Sequence, residues 1–500
     1  MRLDMTKKNI TPRVGKAHKT DILFVYPPIS VSERYGKKVS EVGGNLPPLG
    51  VAYLAAYARE KGYTVGLIDA VVDDYTVASL VHKVLEIKPR VVGISALTPN
   101  YFRALRFAKE LRKKNKDIMI ILGGPHATIM PIECMKTRCF DMLVYGEGEL
   151  TIVEVLSCFK KNNWDKDKFL EDYEALGSIN GVVYRDSDRN IKITAQRERI
   201  ADLDELPMPA WDLLPMHKYL PMANQYKRKP VANLIVIRGC PFNCSFCSSS
   251  QFFGRKVRSM SPGRVMELIV HLKKKYGAKE ISFWDDMLTI NKPWLHKLCD
   301  LMIKARLNMT WTCLARVDSV DYELLAHMKK AGCWNIFFGF ESGSQELLDN
   351  IGKGITIEQI EKANALCKKI GIEVRASFML ALPGETPELG RKTIEFAKKL
   401  NSDYTQFSIT TPYPGTRLYA EAKKYGSLKK SFSEYHGWKA VFVPFGYKNA
   451  KQIEDLEKQA MREYYMRPRY IIGRIAKISS WQDIARYIKG IRFLIGFTKK

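Results

Sequence analysis

The stretch Cys240-Pro-Phe-Asn-Cys244-Ser-Phe-Cys247 decides how this chain is read, because three of its ten cysteines fall within eight residues at C-x3-C-x2-C spacing. Thiolates are soft ligands suited to zinc and to iron–sulfur clusters. A structural zinc site recruits four protein ligands in two separated pairs, whereas three close cysteines leave one iron of a cubane free to hold something else. An apolar β-type run, Asn233-Leu-Ile-Val-Ile237, precedes the loop, and Arg238-Gly239 turns the chain into it. The cysteines therefore stand at the C-terminal mouth of a strand, where (β/α) barrels keep their active sites. The plain alternatives are a zinc knuckle or three inert buried thiols.

Downstream, strand-like runs recur at Leu234 to Ile237, Ile281 to Trp284, Thr310 to Leu314, Ile336 to Phe340, Val374 to Leu380 and Thr405 to Thr410, with helical stretches between them. Six βα units predict an incomplete (β/α)6 barrel over 228–422. Polar residues gather where the runs stop: Asp285-Asp286 after the second, and Gly339-Phe-Glu341-Ser-Gly-Ser344 after the fourth. The fifth carries Arg375 and Ser377. A carboxylate suits a cationic amine in a partly desolvated cleft and accepts from two vicinal hydroxyls. Paired aspartates also cap helices, and an inward Arg375 is equally satisfied by Glu373 or Glu341. Cys299, Cys313, Cys333 and Cys367 are scattered singly and read as core, Cys313 drawing slightly more attention at a strand end.

Upstream, apolar runs at Ile22 to Tyr26, Val65 to Ile68, Val91 to Ser95, Ile118 to Leu122 and Met142 to Tyr145 alternate with helical stretches. That is βαβ repetition over 21–158, a Rossmann-like parallel sheet that binds ligands beyond its strands' carboxyl ends. Those ends carry Ser95-Ala-Leu97, Gly123-Gly124-Pro-His126 and Gly146-Glu-Gly-Glu149. Between the halves, 159–227 reads as a proline-punctuated linker with a hairpin, Gly181-Val-Val-Tyr184 against Ile191-Lys-Ile-Thr194.

The cysteine spacing, with the aromatic Phe246 before the third cysteine, resembles the radical S-adenosylmethionine (SAM) superfamily. The S-x-L of Ser95 to Leu97 and the Gly123-Gly124 pair resemble two motifs of cobalamin-binding domains. The pairing of the two halves, with the turns at Leu46-Pro-Pro-Leu-Gly50 and Tyr145 to Glu149, is similar to the cobalamin-binding radical SAM enzymes, a class of methyltransferases, cyclases and lipid- or tetrapyrrole-modifying enzymes. The resemblance implies a flavodoxin-type cobalamin-binding domain, a partial radical SAM barrel and a C-terminal helical extension. It implies a 4Fe-4S cluster on Cys240, Cys244 and Cys247 whose electron cleaves SAM to a 5'-deoxyadenosyl radical. Phe246, Asp286, Glu341, Ser342 and Arg375 would position SAM. Ser95, Leu97, Gly123 and Gly124 would line the cobalamin channel. The third cobalamin motif, D-x-H-x-x-G, is absent; Tyr26-Pro-Pro-Ile-Ser30 stands in its place, leaving His126 as the one histidine in the crevice.

Two outcomes fit: methylation of an unactivated carbon with cobalamin as carrier, or cyclisation, rearrangement or anaerobic oxygenation. A non-catalytic cobalamin or redox sensor is the third reading. The resemblance implies an external electron donor of flavodoxin or ferredoxin type. Composition supports a folded, reduced, cytoplasmic protein without a spanning segment. The net charge of +27 leaves nucleic acid, anionic membrane and acidic substrate open. No nucleic-acid-binding module follows the barrel, so nucleic acid is not expected.

Residues 1–20 read as a loose basic arm and 423–500 as a basic helical region. From Tyr464 to Lys500 nine Lys or Arg face one acid, Asp483. Trp481, Ile484, Ile488, Ile491 and Ile495 share one helical face opposite Arg486 and Lys489. This predicts an interfacial helix on the inner face of an anionic membrane, presenting the barrel mouth to a small-molecule or lipid substrate. The competing expectation is that the stripe packs against the barrel.

Overall fold

The computed structural model describes residues 20–28, 44–429, 431–435, 437–478 and 481–498. Most of the basic arm, and Ile29 and Ser30, lie outside them. The five apolar runs of the first half form parallel strands β1 (Ile22–Tyr26), β2 (Val65–Asp69), β3 (Val91–Ser95), β4 (Met119–Gly123) and β5 (Met142–Val144). Their order is β2-β1-β3-β4-β5, the flavodoxin-type arrangement whose switch point lies between β1 and β3. Both faces are covered, so the strands are continuous apolar runs with little alternation.

The hairpin expected within a linker belongs to this sheet instead. β6 (Val182–Arg185) pairs antiparallel with β5, and β7 (Ile191–Ile193) closes the edge. Val182 and Val183 are fully buried, so the apolar pair that the sequence suggested for a small hairpin needed a sheet to lie on. The proline-punctuated connection is a seam between the halves. Trp211 and Leu206 enter the barrel core while Leu214 and Tyr219 enter the first domain's core.

The second half is a six-stranded parallel sheet in sequence order: β8 (Val231–Leu234), β11 (Glu280–Phe283), β12 (Thr310–Ala315), β13 (Cys333–Glu341), β14 (Glu373–Leu380) and β15 (Tyr404–Ile409). Ile336, Phe338, Phe340, Val374, Ala376 and Phe378 join the outer core under the helices. The alternate residues face the lumen. The helices are cut sharply by their caps: Thr356 and Gln359 form a capping box for Ile357–Ile370, which ends at Gly371.

The strand leading to the cysteines is shorter than its apolar run. β8 stops at Leu234 because the Asp285 carboxylate accepts the Val236 and Ile237 amides at 2.6 and 2.5 Å. Ile237–Arg238 (β9) then pairs antiparallel with Arg258–Ser259 (β10). The cysteine loop thus stands off the barrel on its own small ribbon.

The helix Ala450–Tyr465 packs its apolar side, with Ala460, Met461 and Tyr464, into the barrel core, whereas Pro468–Ile475 and Trp481–Thr498 turn charged residues inward, Arg474 from the first and Asp483 and Arg486 from the second. Arg474 pairs with Asp403 (3.0 Å) and Glu373 (3.4 Å), and Arg486 pairs with Asp483 (2.9 Å) and donates to the Tyr226 carbonyl (2.7 Å). The apolar stripe faces away: Trp481 is 85% exposed, Ile488 47% and Ile491 55%. The expectation that this stripe packs on the barrel fails for Trp481, Ile488 and Ile491, because Arg474 pairs with the barrel's Asp403 and Glu373 and Arg486 reaches the Tyr226 carbonyl, which turns the charged face inward. The side chain of Ile495 lies outside the described residues. No described helix is long and apolar enough to cross a membrane.

Candidate active site

Gly239 enters the cysteine loop at φ +103, and a Cβ there would fall 2.2 Å from the Lys256 carbonyl oxygen. The loop is then tied down on both flanks. Cys240 N donates to Gly254 O (3.1 Å), Ser245 N to Ile351 O (2.8 Å), and Leu418 N to Ser245 O (2.8 Å). Cys240 and Cys244 are half-buried and Cys247 is exposed. Burial raises the Cys240 thiol pKa, the backbone hydrogen bond from Phe242 opposes it, and Asp286 and Cys244 raise it further.

Arg316, at the end of β12, was not singled out by sequence. Its guanidinium lies 3.6 Å from the Phe242 ring centroid and 3.9 Å from Cys244 Sγ. It is held by Asp318 at 3.0 and 2.9 Å and by the Lys353 carbonyl at 2.8 Å. Lys353 was missed too. Its Nζ donates to Glu341 Oε1 at 2.7 Å, both residues are buried, and it sits 5.7 Å from the Phe246 ring. Glu341 adopts φ +64, which turns its carboxylate in at the mouth. Asp286 accepts a short hydrogen bond from Ser249, just past the loop, and burial raises its pKa. Cys240, Cys244, Cys247, Phe246, Asp286, Glu341, Lys353 and Arg316 thereby share one mouth.

Two expected members are elsewhere. Ser342 is fully buried, with its hydroxyl 3.2 Å from Thr393 Oγ1 and accepting Ser344 N at 3.1 Å, so it braces the turn after β13. Arg375 lies level with Phe337, 4.9 Å from its ring, and three residues below Glu341 along β14, because a register shift after Gly339 sets Glu341 level with Phe378. At ~3.3 Å per residue that is about 10 Å. Lys353 is the cation at the mouth.

Facing the mouth across the domain seam is a cavity of about 570 Å³. The first domain contributes Tyr26, Asp69, Ser95, Leu97, Gly123 and Gly124, and the barrel side Phe252, Phe253 and Trp284. Gly124 has φ +86, and a Cβ there would meet Ser95 Oγ at 2.6 Å, so this glycine is needed by the chain's own packing. His126 does not line the cavity. Its Nδ1 is 3.1 Å from Thr98 Oγ1, its ring lies tilted at 35° with its centroid 4.1 Å from that of Tyr101, and burial lowers its pKa to about 4. The histidine singled out in the crevice is a neutral packing residue, because its side chain turns in under the sheet end.

The seam itself is ionic. Arg258 contacts Glu147 at 2.5 Å, Arg238 contacts Glu149 at 2.6 Å, and all four residues are buried. Arg238 is two residues from Cys240, so this network fixes the loop against the first domain.

Residues 38–156 match the B12 binding domain family, and residues 234–397 match the Radical SAM superfamily. An uncharacterized methyltransferase of Pyrococcus horikoshii is 37% identical over 476 residues, covering 94% of this chain and 97% of that protein. This chain belongs to the cobalamin-binding radical SAM family. A second relative, the anaerobic magnesium-protoporphyrin IX monomethyl ester cyclase of Rubrivivax gelatinosus, is 33% identical over 404 residues, 80% of this chain and 69% of its own. Among solved structures, TsrM from Kitasatospora setae with cobalamin and a [4Fe-4S] cluster superposes with TM-score 0.69 at 15% identity, covering 95% and 99% of the two chains. OxsB with aqua-cobalamin and SAM gives 0.69 at 19%, covering 95% and 71%. At such identities these two share the fold.

Members of the cobalamin-binding radical SAM family carry a 4Fe-4S cluster, SAM and cobalamin, and the residues here suit all three. Three thiols on an anchored loop suit a cluster with one open iron. A carboxylate beside an ammonium at the mouth suits an amino acid's opposite charges. The cavity, walled by glycines and aromatics, suits a bulky macrocycle.

Proposed function

We propose that this enzyme is a cobalamin-dependent radical SAM methyltransferase that acts at an unactivated carbon of an apolar, lipid- or isoprenoid-like substrate. The observation that carries the reading is the convergence of the cysteine loop, Asp286 and the Glu341–Lys353 pair opposite the seam cavity. The cluster, when bound, supplies the electron that cleaves SAM, and cobalamin supplies the methyl carrier. Cys240, Cys244 and Cys247 hold the cluster, and Arg316 orders its loop and directs positive charge at the Cys244 sulfur. Asp286 takes the SAM ammonium, Glu341 the ribose hydroxyls, and Lys353, released from Glu341, the SAM carboxylate. Phe246 backs Lys353. Ser95, Leu97 and Gly123 border the cobalamin cavity. Anaerobic reconstitution followed by mass spectrometry tests this: S-adenosylhomocysteine should accompany 5'-deoxyadenosine and a methylated product. 5'-Deoxyadenosine alone would favour the cyclase-type reading, which the Rubrivivax relative's name supports. Failure to cleave SAM would leave the sensor reading.

The exposed stripe of Ile472, Ile475, Trp481, Ile488 and Ile491 is the means of docking on an anionic membrane at its cytoplasmic face. Arg469, Lys489 and Arg492 make no ion pair among the described residues and lie near it. Arg474, Lys477 and Arg486, by contrast, are engaged internally, so the electrostatic pull is weaker than the tail's composition suggests. Co-sedimentation with anionic vesicles should fall for Ile475→Asp/Trp481→Asp while SAM cleavage persists; unchanged sedimentation would remove the membrane assignment.

A further inference from the structure

Alternation along β14 sends Val374, Ala376, Phe378 and Leu380 to the outer core, so Arg375, Ser377 and Met379 face the lumen. Arg375 is 4% exposed. Among the described residues it has no ion pair and no hydrogen bond; its Nε is unpartnered and its guanidinium lies 4.9 Å from the Phe337 ring centroid. Burial lowers its pKa to about 10, which still leaves it charged at neutral pH. The nearby carboxylates are committed. Glu280 accepts from Thr310 (2.7 Å), Trp334 (3.1 Å) and the Lys227 and Arg228 amides, and Glu373 faces Arg474. Asn335, also lumen-facing and fully buried, leaves both of its amide atoms unpartnered. Above them the lumen is open: Phe337, Gly339, Ser377 and Met379 are partly exposed and Gln406 is exposed.

A buried, charged, unpaired guanidinium beside an unpaired amide, at the bottom of a solvent-reached lumen, is costly unless an anion completes it. We propose that the lumen floor binds an anionic oxygen group of the substrate, a carboxylate or a phosphate, on Arg375, with the Asn335 amide as its second contact. The planar guanidinium donates two parallel hydrogen bonds to either group. This deepens the proposed function and rests on it only for the side from which substrate enters. The substrate becomes an apolar body with an acid at one end, and the attacked carbon lies about 10 Å above that acid, at the level of Glu341. The acid sets how deep the substrate sits and thereby which carbon is presented.

The test uses the holoenzyme and three six-carbon probes: hexanoate, hexyl phosphate and hexanol. A ligand that binds only the folded state raises the thermal midpoint. Hexanoate or hexyl phosphate should raise it in a saturable way and hexanol should not; whichever acid acts names the group. The shift should vanish in Arg375→Gln and survive in part in Arg375→Lys, while the surface control Arg469→Gln keeps it. Should Arg375→Gln not fold, Ser377→Asp offers Arg375 an internal carboxylate and should erase the shift by itself. Equal shifts from acid and alcohol, or an acid shift retained in Arg375→Gln or Ser377→Asp, would overturn the proposal. Formation of 5'-deoxyadenosine by the wild-type sample reads the radical reaction separately. An Arg375-dependent shift without cleavage keeps the lumen site and removes the proposed reaction; cleavage without the shift does the reverse.

Discussion

The two strand-end surfaces that face each other across the seam were signposted by different residue types, and they fared differently. At the barrel mouth the signposts were thiols and carboxylates, and Cys240, Asp286 and Glu341 do meet there. In the first domain they were small residues and one histidine; Gly124 is occupied with Ser95, and His126 with Thr98 and Tyr101. Three thiols at metal-ligand spacing have few purely structural uses, whereas a glycine at a strand end has many. Chemistry-bearing side chains therefore located a site, while backbone-permissive ones located a crevice.

The sharpest way to break this contrast is at the cysteines. Alanine at Cys240, Cys244 or Cys247 should abolish SAM cleavage, yet leave cobalamin binding intact, since the cavity's first-domain wall is independent of the loop. Cobalamin lost together with the cluster would mean the two surfaces form one site. Next comes the seam. Glu147→Leu strands Arg258 and should cost about 3–5 kcal/mol of unfolding free energy in a denaturant titration. Burial alone would raise the Glu147 pKa, but the Arg258 hydrogen bond and the Arg238 and Arg258 charges outweigh it and hold it below the usual range. Its contribution is therefore full above the ordinary glutamate range and is lost as pH falls through the depressed value. That acid-side loss should be missing in Glu147→Gln.

A smaller effect is expected at Lys353. Lys353→Met leaves Glu341 without its partner and should raise KM for SAM roughly thirtyfold, about 2 kcal/mol, with kcat less affected. An unchanged KM would return the carboxylate-binding role to another cation. The smallest effect is none: His126→Ala should leave the electron paramagnetic resonance spectrum of the cob(II)alamin state unchanged. Loss of nitrogen superhyperfine splitting would show that the ring leaves Tyr101 when cobalamin binds.

Strand periodicity carried most of the architecture because the first sheet is covered on both faces by uninterrupted apolar runs, while the barrel strands send alternate residues into one core under the helices. Its failures have physical causes. The β8 boundary depended on Asp285, some fifty residues away, intercepting two amides. The hairpin's membership of the first sheet depended on an edge that local sequence does not display. Lys353 and Arg316 were invisible because a lone base in a loop or at a strand end has no pattern; only the distances to Glu341 and Cys244 reveal them. The tail's amphipathicity was legible but its orientation was not. Composition cannot say that Asp403 and Glu373 wait on the barrel side for Arg474.

The contact of Arg486 with the Tyr226 carbonyl joins positions 260 residues apart and closes the barrel beneath β8. During synthesis the six strands are on the outside of the ribosome well before Arg486 follows them, so for that interval the lumen is a sheet curled around nothing, with Trp334 and Glu280 uncovered below. Contacts of such long sequence separation form late. Maturation thus has an order written into it: the strands that carry the mouth are made first, and the floor beneath them is closed by the tail that follows.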